Sequence, residues 1–314
     1  MMQDAIEGTN QQFLFKPEIV YGDQWHCTQP VVLAGMGGSA LPGDAWNIWQ
    51  VDQPILLHND YGLPPIKSGS IIAASYSGDT EETLDAFESA RAQQLPLLVI
   101  TAGGELLRRA QEFKIPHIII PDTGIQPRMS TGFFLAALAK AMGSQSVQEE
   151  LQGLSPVLDP KRFSEEGTRI AALLEGKIPL VYASRRNYAV ARIWKIKLNE
   201  TGKVPAFWNV LPELNHNEMT GFGGTFDAKN IRVVLLRDDQ DHPRIRRRMD
   251  VLKDVLKEQD VECIETNFMG SERIERIVNM FLVGDWVSLA LANRAGVDPE
   301  QVPMVQTFKK ALGT

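Results

Sequence analysis

The most informative stretch of this chain is the segment Glu213-Leu-Asn-His-Asn-Glu218, which combines two carboxylates, two amides and one imidazole within six residues. Each of these groups needs water, a protein neighbour or a ligand as its hydrogen-bond partner, whereas Leu214 can serve a core without one. An imidazole exchanges protons near neutral pH, so His216 is a candidate for acid/base chemistry on a substrate. The segment therefore indicates a site.

A further carboxylate, Glu200, closes a helical pattern a little upstream. The helix expected over 188–201 has an apolar stripe, and at about 100° per residue Glu200 falls at the edge of that stripe, beside Ile193. Partial desolvation in such a place suits a general base. The alternative is a solvated glutamate in the last helical turn, where the helix dipole disfavours negative charge.

Two loops rich in glycine and serine each follow an expected strand. The first, Gly35-Met-Gly-Gly-Ser39, opens a helical segment, so its backbone N–H groups can approach an anion. The second, Ser75-Tyr-Ser-Gly-Asp-Thr80, adds hydroxyls that bind phosphate oxygens without carrying charge. Ligands collect at the carboxyl ends of strands in an α/β sheet, so the two loops together favour a sugar-phosphate site. The alternative for Asp79 is a helix N-cap with Glu82 as its capping-box partner.

Arg128, within Pro127-Arg-Met-Ser130, stands where a helix is expected to follow a strand. A guanidinium in that place can neutralise an oxyanion that develops during a reaction. The alternative is an arginine on the protein surface at the start of a helix.

The sequence lacks the motifs of several other chemistries. Neither loop is followed by Gly-Lys-Ser/Thr or completes GxGxxG with a later acidic residue, which disfavours nucleotide binding by these loops. The five histidines have neither HxH nor HExxH spacing, so we expect no metal and no other cofactor. A serine hydrolase is not indicated either, because no Gly-x-Ser-x-Gly elbow occurs.

The composition is that of an ordinary soluble globular protein, with 314 residues of which 44% are apolar and 23% charged. Its apolar runs fall far short of the roughly 20 residues that a membrane span needs. The first residues carry acid before any apolar run and lack a basic stretch, so we expect no export signal and a cytoplasmic location. Cys27 and Cys263 lie far apart in sequence and are expected to be buried thiols.

The formal charge of −7 argues against a general nucleic-acid binder, whose phosphate contacts need a basic face. The exception is the run Arg244-Ile-Arg-Arg-Arg248, which continues into apolar residues at helical spacing. We interpret this run as the solvated polar face of an amphipathic helix.

Apolar β-rich runs alternate with helical patterns, which predicts an α/β fold of parallel sheets covered by helices. The first half predicts strands at 30–34, 55–58, 71–75, 97–101 and 117–121, with helices at 80–94, 106–113 and 132–142. The second half predicts strands at 178–183, 231–237 and 261–266, with helices at 188–201, 244–257 and 273–294. The pattern weakens over 143–153, ahead of Ser155-Pro156 and Asp159-Pro160. We therefore place a domain junction there, with domains at 1–150 and 151–314.

The order of these motifs resembles that of the bifunctional phosphoglucose/phosphomannose isomerases, a family of the sugar isomerase (SIS) domain superfamily. The resemblance runs from about Gly35 to the C-terminus. It rests on the two loops, on Pro127-Arg128 and Asn199-Glu200, on Lys203-Val-Pro-Ala-Phe207 and on the 213–218 segment. It implies two SIS domains, each a parallel sheet flanked by helices, in a homodimer whose active sites are shared between subunits.

The resemblance also implies roles for individual residues. The family's phosphate-binding positions correspond here to Gly37, Gly38, Ser39, Ser75, Ser77 and Thr80. Glu200 would move a proton between C1 and C2 of the sugar through a cis-enediol, and Arg128 would stabilise the enediolate. His216, reaching in from the other subunit, would help to open the ring, as would Lys309 or the adjacent Lys310 in a C-terminal helix.

The implied reaction is the interconversion of fructose 6-phosphate with glucose 6-phosphate and with mannose 6-phosphate. Both aldoses are accessible because a planar enediol has lost the configuration at C2. The alternative is a non-catalytic SIS protein that senses a sugar phosphate and needs the serine loops alone. The stretch before the first strand is too short for the DNA-binding domain that such regulators often carry, and an amino-sugar isomerase would need an amine-handling domain that we do not expect here. The joint presence of Glu200, Arg128 and His216 favours the enzyme.

Overall fold

The structure, a computed structural model, describes residues 1–224 and 228–313. The chain divides into two compact units. One is Gln3–Asp159 together with the chain end from Phe308, and the other is Pro160–Thr307. Each unit is built around one parallel sheet, and the two units are described separately below.

The sheet of the first unit has five strands in the order β2-β1-β3-β4-β5, with all neighbours parallel. The strands are β1 Val31–Ala34, β2 Ile55–His58, β3 Ser70–Ser75, β4 Leu97–Thr101 and β5 His117–Ile119. The chain leaves β1 for β2 on one side and continues with β3 on the other side. The topological switch point of this sheet therefore lies between β1 and β3, the place where α/β folds bind ligands.

Helices cover this sheet, and the central strands are accordingly buried on both faces. The helices of this part of the chain are α1 Met2–Glu7, α2 Leu41–Trp49, α3 Glu81–Ala92, α4 Gly104–Glu112, α5 Thr131–Ala141 and α6 Gln145–Gln152. On one face, Phe87 of α3 and Leu106 of α4 pack against Ile71 and Val99 of the sheet. This apolar packing holds the strand ends, and hence the loops that follow them, in place.

The sheet of the second unit has four parallel strands in the order β7-β6-β8-β9. They are β6 Ile178–Ser184, β7 Phe207–Leu211, β8 Ile231–Arg237 and β9 Cys263–Asn267. The switch point of this sheet lies between β6 and β8, by the same reasoning as in the first unit.

The helices of the second half are α7 Ser164–Leu174, α8 Tyr188–Glu200, α9 Pro243–Lys257, α10 Arg273–Ala295 and α11 Pro303–Leu312. The long helix α10 is buried over most of its length and packs closely on α7. A Cβ added to Gly167 of α7 would lie 2.3 Å from the Cβ of Trp286, so a glycine permits this approach. None of the helices in the described ranges combines the length and the apolar character that crossing a membrane requires.

The predicted fold class, with two parallel sheets flanked by helices, is confirmed. Strand β7 and helix α7 were not predicted from the sequence. The weak sequence pattern over 143–153 did not predict helix α6, which occupies most of that stretch and buries Val147 and Leu151. Its N-terminus is capped by Ser144, whose Oγ accepts a hydrogen bond from the Val147 N–H at 3.4 Å. The compact units meet in sequence at Asp159 and Pro160, while the domain bounds at 150 and 151 stay a prediction.

Candidate functional site

The two glycine- and serine-rich loops lie side by side at the switch point of the first sheet. The turn Gly37–Ser39 follows β1, and Ser75 is the last residue of the adjacent parallel strand β3. The Ser39 Oγ accepts a hydrogen bond from the Tyr76 N–H at 2.9 Å, which joins one loop directly to the other. The structure thus brings together the loop residues that the sequence analysis singled out.

Two hydroxyls lie close to the buried side chain of Ser75 and form a cluster of three with its own. Its Oγ lies 2.9 Å from Thr80 Oγ1 and 3.5 Å from Ser77 Oγ, and it accepts a hydrogen bond from the Gly78 N–H at 3.0 Å. Burial decreases from Ser75 through Thr80 to Ser77, which is exposed. The cluster therefore opens to solvent and offers uncharged donors to a phosphate.

Gly78 and Asp79 hold the second loop against the neighbouring helix α4. Gly78 has φ +78, and a Cβ in its place would lie 1.9 Å from the Gly103 carbonyl oxygen. The Asp79 carboxylate accepts a hydrogen bond from the Glu105 N–H at 2.9 Å. The interpretation of Asp79 as the N-cap of its own helix is wrong, because Thr80 takes that position and α4 receives the carboxylate.

Arg128 is 2% exposed, so the alternative of a surface arginine is wrong. It lies in the short helical turn Pro127–Met129, against the glycine loop. A Cβ added to Gly38 would lie 2.5 Å from the Arg128 backbone nitrogen, so no larger residue permits this approach. The buried Gln12 fixes the other side of the turn, because it donates to the Met129 carbonyl at 2.7 Å and accepts from the Gly132 N–H at 3.0 Å.

Glu200 ends helix α8 and is half-buried, as its place at the edge of the apolar stripe predicted. It lines a cavity of about 460 Å³ together with Asn199, Lys203 and the segment 297–305 that leads into α11. The Lys203 ammonium donates to the carbonyl of Glu200 and, at 2.5 Å, to the carbonyl of Gln301. This lysine thus ties the end of α8 to that segment.

The 213–218 segment is anchored at both ends, while its imidazole is exposed. Leu214 packs into the core as expected. The Glu218 carboxylate accepts hydrogen bonds from the Tyr182 hydroxyl of β6 and from the Asn209 amide of β7. Burial, followed by the neighbouring Glu218, raises the pKa of Tyr182, so the phenol remains a donor. Glu218 therefore positions the segment, and His216 projects from it on the surface.

The other expected site residues, His216, Lys309 and Lys310, are exposed in the described part of the chain. His216 is not part of the lining of the Glu200 cavity. Lys309 and Lys310 are exposed on helix α11, whose side chains are all exposed or half-buried. Their assignments stay predictions.

Lys203 was named only as part of a family motif, without a role, and Gln12 was not predicted at all. A usable signal existed for Lys203, because a lysine just after a helix end can bond the free carbonyls of the last turn. No comparable signal marks Gln12, whose partners lie more than a hundred residues away.

The switch point of the second sheet is filled by the chain's own polar groups. Asp241 accepts a hydrogen bond from the Ser184 hydroxyl at 2.6 Å, and Asp238 accepts one from the Arg276 guanidinium at 2.6 Å. The Asn187 amide donates to both carboxylates, at 3.1 Å to Asp238 and 3.3 Å to Asp241. These carboxylates occupy the region where a ligand anion would enter an α/β sheet.

The pKa values of Asp238 and Asp241 shift in opposite directions. Burial raises the pKa of Asp238, but hydrogen bonds from the Gln240 N–H, Arg276 and Asn187 outweigh it and hold the pKa below its usual range. Burial raises the pKa of Asp241, and the charge of Asp238 adds to that effect against the hydrogen bond from Ser184. Among residues 1–224 and 228–313, no three His, Cys, Asp or Glu side chains form a group that can hold a metal ion.

Comparison with known proteins places this geometry in a family. Residues 163–312 match the family model of the bacterial phospho-glucose isomerase C-terminal SIS domain. The solved tagatose-6-phosphate ketose/aldose isomerase from Escherichia coli has the same fold, with a TM-score of 0.69 at 16% identity over 95% of this chain and 94% of that one.

Comparison with curated relatives identifies the family more specifically. The chain is 32% identical over 290 residues to the bifunctional phosphoglucose/phosphomannose isomerase of Aquifex aeolicus, covering 90% of each sequence. It is 33% identical over 305 residues to the enzyme of the same name from Caldicellulosiruptor bescii, covering 90% of this chain and 89% of the relative. The chain is therefore an isomerase and belongs to the bifunctional phosphoglucose/phosphomannose isomerase family, as its motifs predicted.

Proposed function

We propose that the chain interconverts fructose 6-phosphate with glucose 6-phosphate and with mannose 6-phosphate through a cis-enediol. The observation that carries the proposal is the cluster of hydroxyls around Ser75 at the switch point of the first sheet. Donors that carry no charge suit a monophosphate ester, whose dianion they bind through several hydrogen bonds. This site anchors the end of the sugar that does not react.

The phosphate contacts come from the two loops. Backbone N–H groups of the glycine loop and hydroxyls of the serine loop are the expected donors. The residues we assign to this role are Gly37, Gly38, Ser39, Ser75, Ser77 and Thr80.

Glu200 is the proposed base. Its carboxylate removes the proton from C2 of an aldose phosphate, the carbonyl oxygen at C1 takes up a proton, and a planar enediol results. Return of the proton to C1, with loss of the proton on the C2 hydroxyl, gives the ketose. Return to either face of C2, with loss of the proton on the C1 hydroxyl, gives one of the two aldoses. Glu200 is half-buried beside a cavity of about 460 Å³, which supports this role. Its carboxylate can contact a sugar in the cavity and is partly shielded from water.

Arg128 is the proposed partner of the enediolate, since a guanidinium stabilises charge that develops on oxygen. Ring opening needs a proton moved from the anomeric hydroxyl to the ring oxygen. We assign that step to His216 of the partner subunit in a homodimer, with help from Lys309. The homodimer is supported by α11, on which Met304, Phe308 and Leu312 are 86%, 64% and 57% exposed.

One assay tests the proposal. The purified chain is given fructose 6-phosphate, and glucose 6-phosphate and mannose 6-phosphate are quantified separately. We expect both aldoses to form. Formation of neither aldose would favour the alternative of a protein that only senses the sugar phosphate.

Glu200→Gln tests the base. We expect turnover to fall by about a hundredfold to ten thousandfold while binding of fructose 6-phosphate persists. Glu165→Gln on the exposed surface of α7 is the matched control and should keep the wild-type rate. A Glu200→Gln variant that turns over at the wild-type rate would remove Glu200 from this role.

A further inference from the structure

An arginine run on helix α9 has no part in the proposed reaction. Arg244, Arg247 and Arg248 stand three and four positions apart and share one face of the helix, while Arg246 lies on another face. Within the described parts of the chain, none of the four forms an ion pair with a carboxylate. Asp250 of the same helix pairs instead with Arg237, at 2.7 Å.

This placement works against the stability of the helix. The arginines lie in the first two turns, where the helix dipole disfavours positive charge, and like charges three and four positions apart repel one another. The chain as a whole is acidic, with 39 Asp and Glu against 32 Lys and Arg, so acidic side chains are plentiful elsewhere. Since pairing with the described residues does not explain the run, an external anion is the partner that its chemistry fits.

The polar face expected from the sequence is concave rather than flat. A cavity of about 390 Å³ lies against it, lined by these three arginines together with Asn215 and Met219. The Arg248 guanidinium donates to Asn215 Oδ1 at 3.3 Å, which orients it along one wall. Val251, Leu252 and Val255 from the following turns add an apolar part to the lining.

We infer that this cavity binds a nucleoside polyphosphate, with its phosphates on the arginines and its base on the apolar part. Guanidinium groups bind phosphate oxygens in pairs and also stack on flat rings, so one cluster can serve both parts of such a ligand. The volume lies within the roughly 300 to 1,000 Å³ of small-molecule sites. A concave shape of this size suits a small molecule better than a peptide, and an apolar part would be of no use to a bare inorganic anion.

Titration calorimetry of the full chain with ATP tests this inference, with variants that preserve the helix. Arg247→Gln removes a charge from the cavity, and we expect it to weaken ATP binding about tenfold or more. Arg246→Gln removes the same charge from the other face, and we expect affinity within about twofold of wild type. Circular dichroism of both variants confirms that each remains folded.

Four outcomes would overturn the inference. These are no binding of ATP by the wild type, equal weakening by the two arginine variants, loss of ATP binding in Ser77→Ala, and inorganic triphosphate binding as tightly as ATP. The third outcome would place the nucleotide at the sugar-phosphate loops instead. None of them bears on isomerase activity, which the assay with fructose 6-phosphate measures separately.

Discussion

Gly38 and Arg128 are in backbone contact, so closely that a Cβ on the glycine would lie 2.5 Å from the arginine nitrogen. The glycine belongs to a loop that we assign to the phosphate, and the arginine is the group that we assign to the enediolate. The two ends of a hexose phosphate would therefore be held by residues whose backbones fix each other's positions. Any change that separates the two backbones should act on the chemical step.

Gly38→Ala tests this coupling. The new methyl group displaces the backbone of Arg128, and a misplacement on the order of 1 Å costs about a hundredfold in rate. We expect kcat/KM for fructose 6-phosphate to fall by about that factor. The control is Gly221→Ala, because a Cβ at Gly221 meets no atom of the described residues within 4 Å, and it should keep the wild-type value. Equal activity of the two variants would show that Arg128 does not depend on Gly38.

Ser77→Ala tests the phosphate site. The exposed Ser77 hydroxyl is expected to donate to the phosphate, and a hydrogen bond to a charged group contributes about 1.5 to 3 kcal/mol. We expect KM for fructose 6-phosphate and the inhibition constant of inorganic phosphate to rise by the same factor of about ten or more. The exposed Ser146 on α6 provides the control, and Ser146→Ala should change neither constant. A rise in KM without a rise for inorganic phosphate would contradict the assignment.

Asp238 and Asp239 offer a matched test of the buried charge cluster. Both contact the Arg276 guanidinium, but the side chain of Asp238 is 0% exposed and that of Asp239 is 77% exposed. Removal of one partner from a buried ion pair costs about 3 to 5 kcal/mol, whereas an exposed pair contributes at most about 1 kcal/mol. We therefore expect Asp238→Ala to lower the free energy of unfolding in urea far more than Asp239→Ala. Similar losses in both variants would show that burial does not determine how much each aspartate contributes to stability.

The dependence of stability on pH should separate Asp238 from Asp241. The pKa of Asp238 is lowered on folding. Its contribution to the free energy of unfolding is therefore present above the pKa of the unfolded chain, near 3.9, and is lost as the pH falls through the pKa of the folded state. The pKa of Asp241 is raised on folding. Its contribution to the free energy of unfolding is therefore present below the pKa of the unfolded chain and is lost as the pH rises through the pKa of the folded state.

Replacement of each aspartate by asparagine removes one of these contributions. Between about pH 3 and pH 7, Asp238→Asn should reduce the loss of stability on acidification, and Asp241→Asn should increase it. Urea unfolding at each pH measures how the free energy of unfolding changes with pH. Changes of the same sign in both variants would contradict the opposite shifts.

The elements that place the proposed site could be predicted from the sequence because their signals are local. Strands such as β2 and β4 are short apolar runs bounded by turn residues, and the structure has them at the expected residues. The half-buried position of Glu200 followed from helical periodicity alone. The missed elements have weaker signals, since α6 is short and polar and β7 is an edge strand that begins with the exposed Phe207.

What the sequence could not provide are contacts between distant residues. Gln12 fixes the turn that holds Arg128 across more than a hundred residues, and no periodicity predicts such a bond. Asp79 matched a local capping motif, yet its carboxylate caps a helix further along the chain. Local rules thus predict which groups stand at the ends of strands, and tertiary packing decides which partners they find.

The carboxylates of Asp238 and Asp241 have a consequence for stoichiometry. Two similar halves suggest two sugar sites, but in the second half the carboxylates of Asp238 and Asp241 already occupy the hydrogen-bond donors at the switch point. Each polypeptide should therefore saturate with one molecule of hexose phosphate at its serine-lined crevice, and doubling of the architecture within a chain does not double its capacity for substrate.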